Sequence, residues 1–499
     1  MEHKVKLFFK IWLFFLLVSI NSFCQQDNTQ AELTLQEVIQ IAKDQSPDAL
    51  LAKHRFREQY WDYRTYKASF LPEVSLHSNL VDFNNSIRRT TYLGQDAFVE
   101  SNSNTSSLSL DVNQAITFTG GEIFINSDIA RLDNFMDTSV TYTTTPFNIG
   151  FRQPLDGFNP YKWKKKIEPL EYQEAKQEYL QSMEQVARRA INLFFNTATA
   201  QINLAIAKQN YSNADTLYTI AEGRYEIGTI AENDVLQMEL QLLNARNDLQ
   251  NAHTNLQSAK NQLQSFLGYQ KSVDFKLQLP KTIPDVSIDY QKAQSLAKEN
   301  NPDYLQYKRR IFEGEQNVAR TKSEKGLNAD LFLTYGLNKS TPEFDEAYKD
   351  PLYRSRIRAG IEIPILDWGL SEGKYKMAKS RLEVIKTQVK QSKTDFRRNL
   401  FLTVRKFNLQ DDQVEVAARA DTIAQRRYEV AKQRFLVGKI DVLKLNEARK
   451  DKDISKNTYI SAIKQYWSMY YDLRQITLYD FKNEQELDVN FLDIAEGNN

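Results

Sequence analysis

Side chains suited to catalysis or metal binding are few and scattered. Four histidines occur in 499 residues. His54, His77 and His253 lack the paired spacing that lets two imidazoles hold one ion. No Gly-rich phosphate loop and no nucleophile elbow is present. Cys24 is the single cysteine, which excludes intramolecular disulfides and cysteine-based metal sites. The residues therefore predict no enzyme, no metal and no cofactor. With 65 basic and 64 acidic residues and a formal charge of +1, there is no electrostatic case for nucleic acid.

The elements suggest a different kind of work. Only 16 glycines and 12 prolines predict long uninterrupted elements. A mean hydropathy of −0.56 describes a wet surface. Residues 1–24 read as an export signal. Lys4, Lys6 and Lys10 precede an apolar run from Ile11 to Ile20, and Ser22 and Cys24 sit at −3 and −1 for cleavage before Gln25. Lipidation of Cys24 is the rival reading, with Phe23 in the place where a small residue is expected. No later segment approaches the roughly 18 apolar residues of a membrane-spanning helix, so any crossing must be made by strands.

Three landmarks recur in order. Ala42 to Asp48 parallels Ala297 to Asp303. Gln153-Pro154-Leu155 parallels Ile363-Pro364-Ile365. Arg224-Tyr225-Glu226-Ile227-Gly228 parallels Arg434-Phe435-Leu436-Val437-Gly438. The chain thus reads as two repeats, 25–280 and 281–485, with a tail at 486–499. The first repeat predicts a helix at 34–69, strands over about 71–157, a long helix at 160–226 and a return helix at 231–267. The second predicts a helix at 287–325, strands over about 328–366, a long helix at 371–437 and a return helix at 441–478. At 1.5 Å per residue each long helix would run about 100 Å. Val235, Met238, Leu242, Ala245 and Leu249 begin a seam of alternating three- and four-residue steps that reaches Phe266. That 3.5-residue period is coiled-coil spacing.

The strands alternate. Leu108, Leu110 and Val112 interleave with Ser107, Ser109 and Asp111. Ile357, Ala359 and Ile361 interleave with Arg356, Arg358 and Gly360. Period two gives one apolar and one polar face, as in a barrel with lipid outside and water inside. Residues 84–104 and 338–350 have loop composition. Two strands per repeat would give four per chain. A further pair, 107–117 and 122–130 joined at Thr119-Gly120-Gly121, either adds to the wall or lies outside it. Four strands cannot close a barrel, and an open edge cannot face lipid, so several chains must share one. Three would bring about twelve strands. Tyr161 and Trp163, mixed with lysines, suit a membrane–water boundary, with Trp368 at the matching place in the second repeat.

On the duplicated helix–strand–strand–helix plan, the two Pro-containing strand ends and the two Gly turns, the chain resembles the TolC-like outer-membrane efflux family. The resemblance implies a mainly α fold with membrane β: duplicated antiparallel coiled-coil helices forming an α-barrel tunnel, and a shared trimeric transmembrane β-barrel. It implies a homotrimer in the outer membrane of a Gram-negative bacterium, reaching into the periplasm. The partners implied are outer-membrane lipid, a periplasmic adaptor and an inner-membrane pump, in tripartite efflux or type I secretion. It further implies that Arg224, Tyr225, Gly228, Arg434, Phe435 and Gly438 form adaptor-docking tips. Asp234, Glu239, Asp441 and Glu447 become candidate periplasmic gate acids. The alternative is a periplasmic coiled-coil adaptor or structural spacer without a pore.

Overall fold

The computed structural model describes residues 31–92, 95–155, 157–269, 273–280 and 282–497. The expected signal and Cys24 lie outside them. The chain divides into two compact units.

Of the described residues, one unit comprises those up to Pro47, those within Arg189–Ile283, and Val414–Gln465. Strand β1 (Ala31–Thr34) pairs in parallel with β6 (Phe275–Gln278). Helix α1 (Leu35–Gln45) starts on a capping box in which Thr34 and Glu37 satisfy each other's backbone N–H. Most of helix α3 (Pro160–Glu226), all of α4 (Glu232–Leu267), and much of α8 (Gln410–Leu436) and α9 (Val442–Thr477) complete it. Ile191, Phe194, Phe195, Leu263 and Ile460 are fully buried.

The other unit holds helix α2 (Pro47–Ala68), from Asp48 on, and a six-stranded antiparallel sheet. Its strands are β2 (Glu73–Tyr92), β3 (Gln95–Ile116), β4 (Gly121–Asn134), β5 (Ser139–Pro154), β7 (Asn328–Thr341) and β8 (Leu352–Glu362), in the order β2-β3-β4-β5-β7-β8. Helices α5 (Tyr290–Asn300), α6 (Pro302–Glu324) and α7 (Leu370–Phe407) belong here. The tail adds β9 (Tyr479–Asp480), β10 (Gln485–Glu486) and α10 (Phe491–Glu496). Ile494 and Ala495 of α10 pack on Phe56, Tyr60 and Tyr179.

Several expectations need correction. The helix read at 34–69 is two helices. Ser46 is extended (φ −64°, ψ 148°) because the ring of Pro47 excludes the helical conformation before it. The helix read at 287–325 breaks likewise at Asn301 (φ −76°, ψ 128°), before Pro302. The long stretch read at 371–437 is interrupted at Asn408. The Asn408 amide accepts from the Ile288 N–H (3.1 Å) and donates to the Ile288 carbonyl (2.9 Å), tying the break to a neighbouring segment. By contrast α3 runs 67 residues through Pro169.

The sheet has six strands, the four counted from sequence plus the further pair left open there, and 84–92 and 95–104 are strand rather than loop. Asn84 pairs with Ser103 and Asn85 with Asn102. Ladder bonds use backbone groups, so polar side chains that read as loop do not prevent pairing. The added pair, β3 and β4, lies inside the sheet.

Candidate functional site

Registered neighbours on adjacent strands share a face. One row runs Val74, Val112, Ile125, Ile149 and Tyr335; a second runs Ile123, Phe151, Leu333 and Ile357. This apolar face is open: Val74 is 64% exposed, Leu76 66%, Ile357 78% and Ile361 69%. Apolar surface this extensive is not left to water. The opposite face carries the rows Asp111, Asn126, Asn148, Gly336, Arg354 and Glu122, Arg152, Phe332, Arg358. There Asn148 donates to Asn126 at 2.6 Å, and Arg152 meets Glu122 at 3.3 Å. β2 and β8 end the strand order, and among the described residues neither has a second strand neighbour. Among the described residues, too, no helix is long and apolar enough to cross a membrane.

Strand ends are anchored to helix starts. The Asn159 side chain accepts from the N–H groups of Tyr161 (2.9 Å) and Lys162 (3.2 Å), capping α3. Its amide donates to the carbonyls of Thr117 (3.0 Å) and Phe118 (2.9 Å), fastening the β3–β4 turn to the same point. Asp367 caps α7 from the other repeat, accepting from Gly369 and Ser371 at 2.9 Å each. The Ser371 and Gly369 bonds hold its carboxyl below the ordinary carboxylate range. Neither residue was singled out from sequence, although Asn159 followed by Pro160 is a helix-start signature. Of the expected boundary aromatics, Tyr161 lies 6.0 Å from the Phe70 ring. The Lys166 ammonium sits 5.0 Å from the Trp163 ring. Trp368 is 90% exposed, with φ +54°.

The two expected tips have one geometry. Gly228 and Gly438 both take φ +74°. Gly228 N–H donates to Tyr225 and Thr229 N–H to Arg224. Gly438 N–H donates to Phe435 and Lys439 N–H to Arg434. This is the bonding of a Schellman turn, whose left-handed residue favours glycine. The Arg224 guanidinium crosses to the Leu436 carbonyl at 2.5 Å. Leu217, Met238, Tyr428, Phe435, Val442 and Leu445 form a core just behind the turns. Phe435 is thus buried and holds the turn, while Tyr225, Ile227 and Val437 are exposed. A cavity of about 530 Å³, bordered by Arg224, Ile230, Asp234, Phe435 and Asp441, opens between the turns.

The four expected gate acids differ in their surroundings. Asp441 caps α9 by accepting from the Lys444 N–H (2.9 Å) and pairs with the Lys444 ammonium at 3.8 Å. Glu447 lies 3.7 Å from Arg427, which also binds Asp451. Asp234 is in the first turn of α4. Glu239 is close enough to Tyr218 to add to the effect of the Glu222 hydrogen bond, which pushes that phenol up to about 12. Among the described residues no group of three or more His, Cys, Asp or Glu is placed to hold a metal.

An open sheet with one apolar and one polar face, joined to long coiled helices that reverse at paired glycine turns, is the build of a protein that meets both membrane and water. The outer membrane efflux protein model matches residues 124–269 and 293–477, and the chain belongs to that family. It is an efflux protein of the outer membrane. The fold is similar to that of the Campylobacter jejuni CmeC outer membrane channel: TM-score 0.65, 14% identity, covering 93% of this chain and 88% of that one. It is also similar to CusC, at TM-score 0.62 and 15% identity over 89% of this chain and 91% of that. The Neisseria gonorrhoeae MtrE outer membrane channel gives TM-score 0.59 and 13% identity over 91% of each chain. No curated protein sequence matches.

Proposed function

We propose that three copies assemble into one passive duct, that an inner-membrane pump supplies the energy, and that a periplasmic adaptor docks at the Gly228 and Gly438 turns. The observation that carries this reading is the six-stranded sheet with an apolar open face and two free edges. In lipid those edges must be paired. Three copies joined edge to edge bring about eighteen strands, within the range of outer-membrane barrels.

The helices support assembly independently. Helix α8 buries Val414, Ala417, Ala424, Tyr428 and Phe435. It also carries Val416, Ile423 and Val430, with Leu409 before and Val437 after, all more than half exposed and seven residues apart. A helix with neighbours on both sides, as in a closed ring, needs two such seams. Of the tip residues, Tyr225, Arg434 and the two glycines present the docking surface, with Phe435 beneath it. Asp234, Glu239, Asp441 and Glu447 sit within the first turns past the tips, where three copies would bring acids near a common axis.

Purified outer membranes test the proposal. Unheated samples in dodecyl sulfate gels are expected to run as trimers that collapse to monomer on boiling, and the trimer should conduct ions across planar bilayers. Soluble monomer without conductance would favour a periplasmic spacer instead.

A further inference from the structure

The polar face of the sheet contains a feature that a water-lined wall does not require. Among Ser, Thr, Asn and Asp stand two phenyl rings, Phe124 on β4 and Phe332 on β7. Their centroids are 5.8 Å apart and their planes 25° from parallel. They reach each other across β5 because the residue between them is Gly150. A Cβ there would lie 2.0 Å from Phe124 Cζ. The Arg152 guanidinium lies 5.9 Å from the Phe124 ring and 5.8 Å from the Phe332 ring, and Arg358 lies 5.1 Å from Phe332. Arg356 and Arg354 follow on β8, on the same face. Glu122 engages Arg152 at 3.3 Å. Among the described residues Arg354, Arg356 and Arg358 form no ion pair within 4.0 Å.

We propose that this cluster is a transit site for aromatic organic anions, in which a flat ring stacks on Phe124 and Phe332 while its carboxylate or sulfonate meets Arg358 and Arg152. The inference rests on the polar face bordering the water-filled passage, as in the duct reading above. Half-buried phenyl rings on such a face leave part of their apolar surface in water, which is unfavourable unless something flat covers it. A guanidinium fork matches a carboxylate in a bidentate way that an ammonium does not. On this face Glu122, Asp330 and Glu362 stand at one end of the strands, while the β5–β8 side as a whole carries four arginines, Arg152, Arg354, Arg356 and Arg358, against Asp330 and Glu362, an excess of positive charge. A cargo with a negative head and an apolar body fits the β5–β8 side, and a cation does not. If the rings and guanidiniums merely cover one another, substitution alters stability and leaves binding and selectivity unchanged.

The probes are 2-naphthoate and, as the cationic control, 2-naphthylmethylammonium. They are applied to the purified full-length protein in detergent (fluorescence anisotropy) and in planar bilayers (block of conductance). Naphthoate is expected to bind and block, and the ammonium to do neither. Arg152→Gln with Arg358→Gln is expected to weaken naphthoate at least about tenfold, the loss of one or two charge-assisted contacts. Phe332→Leu is expected to weaken it about fivefold, and Phe332→Tyr to preserve binding. A conducting trimer that ignores naphthoate, or a double Gln variant that binds it as well as wild type, overturns the site and leaves the duct standing. Absence of both trimers and conductance overturns the duct, and the site with it.

Discussion

At the residue scale, the most consequential side chains are charges that the helices bury. Arg474 is held by Glu184 (2.8 Å) and also binds Asp480. Arg309 is held by Glu174 (2.7 Å) and Glu313 (2.8 Å). Around Arg309, burial first and neighbouring acids second raise the carboxyls of Glu171 and Glu178 above the ordinary 4.5. A group raised on folding contributes stability below its unfolded value, and that contribution is lost as pH rises through the folded value. Arg309 opposes the shift, so Arg309→Gln should raise these carboxyls further. The variant is expected to lose about 3 kcal/mol at pH 7.5, and the deficit should shrink as pH falls toward 4.5. Thermal unfolding in detergent at both pH values checks this; an equal deficit at both counts against the linkage.

At the element scale, turns decide where helices reverse. Gly228 and Gly438 have open space where a Cβ would stand, so substitution there meets no clash, only the cost of φ +74°. Gly228→Ala and Gly438→Ala are each expected to cost about 1 kcal/mol. The Arg224–Leu436 hydrogen bond and a common core link the two turns, so the double variant should depart from the sum by about 0.5 kcal/mol or more. Melting temperatures of the three variants measure it. An unchanged melting temperature would mean that the left-handed turn is not maintained in solution.

At the scale of the whole molecule, the second α8 seam has a use only if another copy covers it. Val416→Glu, Ile423→Glu and Val430→Glu together place three charges on a face that is 53–69% exposed in the single chain. The chain itself should fold with unchanged far-ultraviolet circular dichroism, while the heat-labile trimer should disappear from unheated gels. Trimers that persist in full would show that this seam faces water or another partner.

What the sequence determined by itself was local and periodic. The 3.5-residue spacing marked coiled helices, the two-residue alternation marked two-faced strands, and the paired glycines marked reversals, because each depends on neighbours a few residues away. The duplicated landmarks also carried the family. Pro47 and Pro302, which split the opening helices, are equally local signals. Long-range packing set the rest: that polar residues 84–92 and 95–104 pair as strand, that β3 and β4 enter the sheet, and that Asn408 breaks a helix by reaching Ile288. It alone brought Phe124, Arg152, Phe332 and Arg358 together from four strands. Such contacts join residues tens to hundreds of positions apart through backbone pairing, and no short-range pattern encodes which distant strand a segment will meet.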